Sequence, residues 1–354
     1  MLKHILLASL VAAPAFAFEL RTNSANGDVV RWKNKVEFVI APGLSEALGV
    51  PNAEQAVIAA VQAVAAQTPG LELSVRQGVK KPQFGYSYGE GDQSDIMVLD
   101  EEWPWEKTAL AATVVSYNAW TNEVLDADIV INRQHAAFQI FDGPAAAGEN
   151  RYDLQNTLTH ELGHALGLMH NDDLQSVMYP SSAPGETSKR TLGADDIAGL
   201  EELYVKTPEP QPVMGCSATA AAPVWLVNLG LLLAFRRRAK VAAAVVAVSA
   251  AAAVAAEPVM NERRTVEPEE IAWGEVVNTN SRWMPNTKLI VTELEVEVQQ
   301  CVKGACAEKR VKLTVPGGRV GDIVQVIDHL PEAKRGSQVV LTKREGKLKL
   351  VVAR

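Results

Sequence analysis

Cysteine is scarce in this chain: three in 354 residues, at Cys216, Cys301 and Cys306. None precedes position 216, which excludes a disulfide framework or a thiolate metal site from the N-terminal half. Positive charge is in deficit, with a formal net charge of -8. No basic stripe with interleaved aromatics occurs, so nucleic acid is not expected as a partner. The one tight cationic run, Arg236-Arg237-Arg238-Ala239-Lys240, lies between two apolar stretches. That place suits a membrane-topology signal better than a nucleic-acid contact. Charge of either sign is missing from Gln211 to Phe235 and again from Val241 to Ala256.

What is present divides the chain into parts. Residues 1–17 have a short basic start at Lys3-His4, an apolar run from Ile5 to Ala13, and the small-x-small sequence Ala15-Phe16-Ala17. That order predicts a signal peptide, with the mature chain starting at Phe18 and exported, to the cell envelope or cell surface or, after processing, to the exterior. Strands are expected at Val36–Ile40, Leu71–Val75, Ile96–Leu99, Ala109–Tyr117 and Asp128–Asn132. An alanine-rich helix is expected over Asn52–Gln67, where Val57, Val61 and Val64 form its apolar stripe. A long helix over about 154–168 and a closing helix over Gly193–Tyr204 complete an α+β domain spanning 18–205. In the closing helix Asp195 and Asp196 fall in the first turn, where negative charge is favourable.

Three prolines between Thr207 and Val213 mark a linker at 206–214. Residues 215–240 read as a transmembrane or sorting segment ending in the arginine cluster, and 241–256 as a second apolar segment resembling another signal peptide. Two arrangements fit: a helical hairpin with its basic turn in the cytoplasm, or two exported proteins joined in one reading frame. Residues 262–354 read as a small, mostly β domain, with strand-like alternation over Lys288–Val298, Val311–Val315 and Val339–Val352. Cys301 and Cys306 could close a small loop there or remain free thiols.

The chemistry concentrates in His160-Glu161-Leu162-Gly163-His164-Ala165-Leu166-Gly167-Leu168-Met169-His170. His160 and His164 are one helical turn apart, so both imidazoles leave the same face and can reach one metal. Catalytic zinc takes a third protein ligand and keeps a position open. His170 can supply that ligand if the helix stops and turns back, which Gly167 permits because glycine takes positive φ freely. Glu161 then points at the open position. There it can take a proton from zinc-bound water and pass it to a leaving amine while the metal polarises the scissile carbonyl.

With Ser176-Val177-Met178-Tyr179-Pro180 added, the stretch resembles the matrixin family of metzincin zinc endopeptidases, in a compact bacterial form, over about residues 30–205. The resemblance implies a metzincin-like fold with a twisted mixed β-sheet, long helices and a Met-turn at Met178. It implies zinc as catalytic cofactor and protein or peptide substrates in extended form. It casts Asp173 as the aspartate three residues after the third histidine. It makes Leu110, Ala111 and Ala112 the edge that pairs with substrate by strand addition. It further implies that an N-terminal ammonium freed by processing pairs with Asp195. The family's second, structural zinc set is missing, and the tyrosine often found two residues past the Met-Tyr-Pro proline is Ser182. Calcium is conceivable at the acidic loops Asp92–Asp95 and Asp142–Asn150, but no spaced ligand pattern supports it. Gly215-Cys216, the apolar stretch and the arginines resemble a myxobacterial C-terminal sorting segment placed in mid-chain, which implies the cell-envelope membrane as a partner. Two rival readings stay open. One is a cell-surface binding module that keeps the fold without cleaving. The other is a secreted immunity or assembly factor whose C-terminal domain matters most.

Overall fold

The computed structural model describes residues 17–205 and 268–352, apart from 83, 87–91, 144, 147, 286, 307, 329, 331, 345 and 346. The chain opens with the two-residue strand β1 (Glu19–Leu20), followed by β2 (Lys35–Ile40). A short helix α1 (Leu44–Leu48) ends on Gly49, and α2 (Ala53–Ala65) follows it. Then come β3 (Glu72–Gln77), β4 (Ser94–Leu99), β5 (Ala111–Asn118) and β6 (Val124–Asn132). Two short strands, β7 (Phe138–Gln139) and β8 (Tyr152–Asp153), lead into α3 (Leu154–Leu166). Past β9 (Leu168–Met169), helix α4 (Ala194–Tyr204) ends this stretch.

The long elements follow the periodicity of their residues. In α2 the positions Val57, Ala60, Val61 and Val64 recur at helical spacing and are buried. In α3 Leu154, Leu158, Leu162 and Leu166 do the same, each fully enclosed. These two stripes pack on one face of the main sheet against Phe38, Ile40, Ile96, Ile129 and Ile131. Each enclosed leucine stabilises the fold by about 1.5–3 kcal/mol relative to exposure. The opposite face of the sheet carries Met97, Val114, Val130 and Ile327, covered by Trp103, Trp105 and Leu289.

The C-terminal strands are β10 (Glu270–Trp283), β11 (Ile290–Lys303), β12 (Arg310–Pro316), β13 (Gly318–Val320), β14 (Ile323–Ile327), β15 (Gln338–Arg344) and β16 (Lys347–Val352). Five form an antiparallel sheet in the order β12-β11-β10-β15-β16. The other two leave it. The main sheet has seven strands in the order β13-β14-β5-β6-β4-β2-β3. Its β3-β2-β4-β6 part is parallel, whereas β5 is antiparallel to both β6 and β14. The described residues of the N-terminal and C-terminal stretches, 17–205 and 268–352, thus belong to one compact unit. A Cys301–Cys306 disulfide closes the end of β11.

The α+β catalytic architecture with its mixed sheet agrees with the sequence. The expected membrane-spanning segment after it is corrected: among the described residues no helix is long and apolar enough to cross a membrane. The two stretches that prompted it, 215–240 and 241–256, lie outside the described residues, as do the linker at 206–214 and residues 1–16 of the expected signal peptide. Nothing among the described residues supports a membrane partner.

Candidate metal centre

Helix α3 delivers the first two histidines. Its N-cap is Asp153, whose carboxylate accepts the Asn156 N–H at 2.8 Å and also receives the Arg190 guanidinium. Such a cap satisfies a backbone donor that the helix leaves unpaired. The other end is set by Gly167 at φ 106°, where the helix stops in a left-handed turn. A side chain at Gly167 would be strained there and would lie 3.0 Å from the Val30 carbonyl oxygen. The chain then runs out along β9, paired with β1, and His170 comes back over the helix.

The three imidazoles converge. His170 Nε2 lies 3.2 Å from His160 Nε2 and 3.2 Å from His164 Nε2. Their orientation is fixed from behind, because His160 Nδ1 lies 2.6 Å from the Val177 carbonyl and His164 Nδ1 lies 2.9 Å from that of Leu168. A carbonyl can only accept, so each Nδ1 carries the proton and each Nε2 presents its lone pair inward. Two tetrahedral ligands about 2.0–2.1 Å from zinc lie roughly 3.3 Å apart. Donor type, tautomer and spacing therefore fit a zinc ion held by His160, His164 and His170, the one such set found among the described residues.

Glu161 is 2% exposed, and its Oε2 accepts the Thr113 hydroxyl at 2.6 Å. Thr113 lies on β5, 48 positions away, and so fixes the carboxylate against the sheet. Met178 is buried beneath the helix: a methyl group at Gly163 would meet its sulfur at 2.3 Å. Only glycine at 163 lets Met178 come so close between the two helical histidines.

The turn that carries Met178 hangs from α4. Asp196 accepts the Ser176 hydroxyl at 2.6 Å, the Val177 N–H at 2.9 Å and the Gly193 N–H at 2.8 Å. Its neighbour Asp195 accepts the Ala17 N–H at 2.6 Å and the Asn171 amide at 2.8 Å. Asp173 closes a small turn, its carboxylate accepting the Gln175 N–H at 2.9 Å. The segment after the turn is pinned by Lys189, whose ammonium donates to the carbonyls of Tyr179 and Ser181. Burial lowers the Lys189 pKa from its ordinary value.

Leu110 immediately precedes β5, its carbonyl accepting the Asn132 N–H at 2.9 Å, and Ala111 and Ala112 open the strand, pairing on their inner side with Ile131 and Val130. Ser182 takes the Asn156 amide at 3.3 Å. His135 is exposed and distant in role, its N–H bonded to Asn132. Sequence reasoning missed Thr113, Gly163 and Asp196 as parts of the centre. A second carboxylate group lies on β6, where burial raises the pKa values of Asp126 and Asp128 well above the usual range. Asp128 accepts N–H groups from Gly85 and Asp95, while Lys288 pairs with Asp92 at 2.9 Å.

Comparison with known proteins adds a family. Residues 31–205 match the Matrixin family, Peptidase_M10. The chain is 49% identical over 53 residues to metalloendoproteinase 1 of Glycine max, covering 15% of this chain and 17% of that protein. It is 48% identical over 48 residues to human matrilysin, covering 14% and 18%. Against human neutrophil collagenase it is 33% identical over 186 residues, covering 37% and 39%. The chain thus spans 17–39% of the length of these three relatives. The matches carry no support for a bacterial form or for a sorting segment.

Proposed function

We propose, from the match of residues 31–205 to the Matrixin family, that this protein is a zinc-dependent endopeptidase. It hydrolyses peptide bonds in extended stretches of protein. The observation that carries this reading is the triangle of three inward Nε2 atoms with the Glu161 carboxylate on the same helix. A zinc ion held there supplies a Lewis acid that acidifies water and polarises a carbonyl.

The protein's own residues do the rest. Glu161 takes the proton of the attacking water and returns it to the leaving amine, so one carboxylate serves both steps. The Thr113 hydroxyl, donating to Glu161 Oε2, holds the second oxygen of that carboxylate aside. The carbonyls of Val177 and Leu168 keep His160 and His164 in the tautomer that can bind metal. Such partners behind the ligands are worth about 10–100-fold in metal affinity. Met178 supports the helix between those ligands, and Leu110, Ala111 and Ala112 supply backbone groups to which an extended substrate adds as a strand. The pattern of residues 1–17 supports export.

A module that only binds would need the three histidines but not the carboxylate beside them. The test is therefore Glu161→Ala. It should keep zinc and fold yet lose turnover by about 10²–10⁴, whereas His164→Ala should lose zinc as well. Equal turnover in Glu161→Ala and the parent would reject the mechanism.

A further inference from the structure

The outer edge of β5 is already in use over most of its length. Strand β14 pairs with it antiparallel, Ile323 opposite Asn118 through Ile327 opposite Val114. The ladder ends with the Asp328 N–H donating to the Thr113 carbonyl at 3.0 Å. Thr113 is the residue whose hydroxyl holds Glu161. At that point the chain bends away, with the Leu330 N–H bonded to the Ile327 carbonyl at 3.2 Å. Among the described residues no strand pairs with the outer edge at Ala111 and Ala112.

This strap is built in on both faces. Val324 and Val326 pack on the helical side of the sheet and Ile327 on the other. Gln325 is fully buried, donating to the Ser116 hydroxyl at 3.2 Å and accepting the Ile290 N–H at 2.8 Å. Asp328 receives Arg21 Nη2 at 2.7 Å on both carboxylate oxygens, and the same nitrogen reaches the His164 carbonyl at 3.3 Å. Both side chains of that ion pair are nearly sealed, at 6% and 1% exposure. Peeling the strap away would strand a buried charge, which is strongly unfavourable.

A strand edge pairs once. We infer that β14 permanently occupies the half of the substrate edge from Val114 to Asn118, so that substrates are held by backbone pairing on one side of the scissile bond only. This rests on the endopeptidase reading given above. β14 approaches Thr113 running antiparallel to β5. A substrate continuing that line past Glu161 lies along Ala112 to Leu110 with the residues that follow its scissile bond. Residues well before the bond find no free backbone there. The substrate class is thus peptides recognised through the segment after the cut, including bonds near a free amino terminus.

The experiment uses the full chain and two peptide series around one cleavable bond. One series lengthens the peptide before the bond from two residues to six, the other after it from one residue to three. Lengthening after the bond should raise kcat/KM by about tenfold, from two added backbone bonds. Lengthening before it should change kcat/KM less than about threefold, for want of a free partner edge. A tenfold gain on the leading side overturns the inference. The same peptides are titrated onto Glu161→Gln by fluorescence anisotropy, which reads pairing without turnover. If binding shows the one-sided dependence but the parent cleaves nothing, hydrolysis is wrong and the strap inference stands. Equal dependence on both sides, or no binding by any peptide, overturns the strap inference whatever the turnover. A Val114→Cys/Ile327→Cys variant, oxidised to tie the strap to β5, should keep the parent's length profile. A profile changed by locking would mean that the strap lifts in the parent, and would also overturn the inference.

Discussion

Substituting Gly163 by alanine sets two effects of known sign against each other. In an ordinary helix interior the change stabilises by about 1 kcal/mol, because glycine loses more backbone freedom on folding. Here the new methyl would sit 2.3 Å from the Met178 sulfur and 3.3 Å from its terminal carbon. Met178 is 1% exposed and must find another rotamer in packed surroundings. Overpacking of that kind costs about 1–3 kcal/mol. The clash cancels or outweighs the helix gain, so Gly163→Ala should destabilise by about 0–2 kcal/mol net. A second effect follows from the neighbour. Val177, whose carbonyl fixes the His160 tautomer, precedes Met178. Displacing that carbonyl should weaken zinc binding by about tenfold or more. Urea unfolding with and without zinc measures the first quantity, and competition with a chelator the second. Met178→Ala alone should cost about 2–5 kcal/mol, but less when combined with Gly163→Ala, where it relieves the clash. A Gly163→Ala protein more stable than the parent, with unchanged zinc affinity, would refute the reasoning.

Other outcomes follow from the buried carboxylates. Burial, and the charge of Asp128, push the Asp126 pKa well above the carboxylate range. The folded state therefore holds this proton more tightly than the unfolded chain does. The stability it contributes is present below the unfolded pKa and is lost as pH rises through the folded one. Asp126→Asn should accordingly be more stable than the parent at neutral pH, with the difference shrinking in acid; thermal unfolding across pH checks this, and a difference that grows in acid would contradict it. Asp195→Ala removes the acceptor of both the Ala17 N–H and the Asn171 amide, so it should destabilise by about 1–3 kcal/mol and lower turnover. Unchanged stability and activity would show that this anchor does nothing.

The metal centre is legible in the sequence because it is local. Two of its ligands sit four apart, the third lies ten positions from the first, and the glycine that turns the chain is between them. Regular spacing also exposes α2, α3 and the parallel strands, with ends shifted by one or two residues except in β6, which starts four residues before the expected Asp128. What sequence could not show were partners fixed only by folding. Thr113 and Glu161 are 48 positions apart, and Arg21 and Asp328 are 307 apart. No short-range period connects such pairs. Strand β10 escapes a pattern reading because Asn278-Thr279-Asn280-Ser281 and Gly274 interrupt its alternation and much of it is exposed. β15 and β16 read as one strand because only residues 345–346 separate two runs of the same alternation. β14 offers five residues, Ile-Val-Gln-Val-Ile, too few to reveal that they join a distant sheet.

The arrangement of β14 bears on how the polypeptide folds while it is made. The strand that completes the main sheet lies 205 positions beyond the end of its partner, from Asn118 to Ile323. During synthesis at about 5–20 residues per second, the N-terminal part therefore waits some ten to forty seconds with β5 as an open edge. That edge carries Val114, Val115 and Tyr117, which the finished structure buries almost completely. Exposed apolar edges pair readily with other chains. A nascent or truncated chain ending at residue 205 is the form most prone to self-association. The C-terminal strands thus act on their own N-terminal neighbour as an intramolecular chaperone would, by ending the time for which the edge is open.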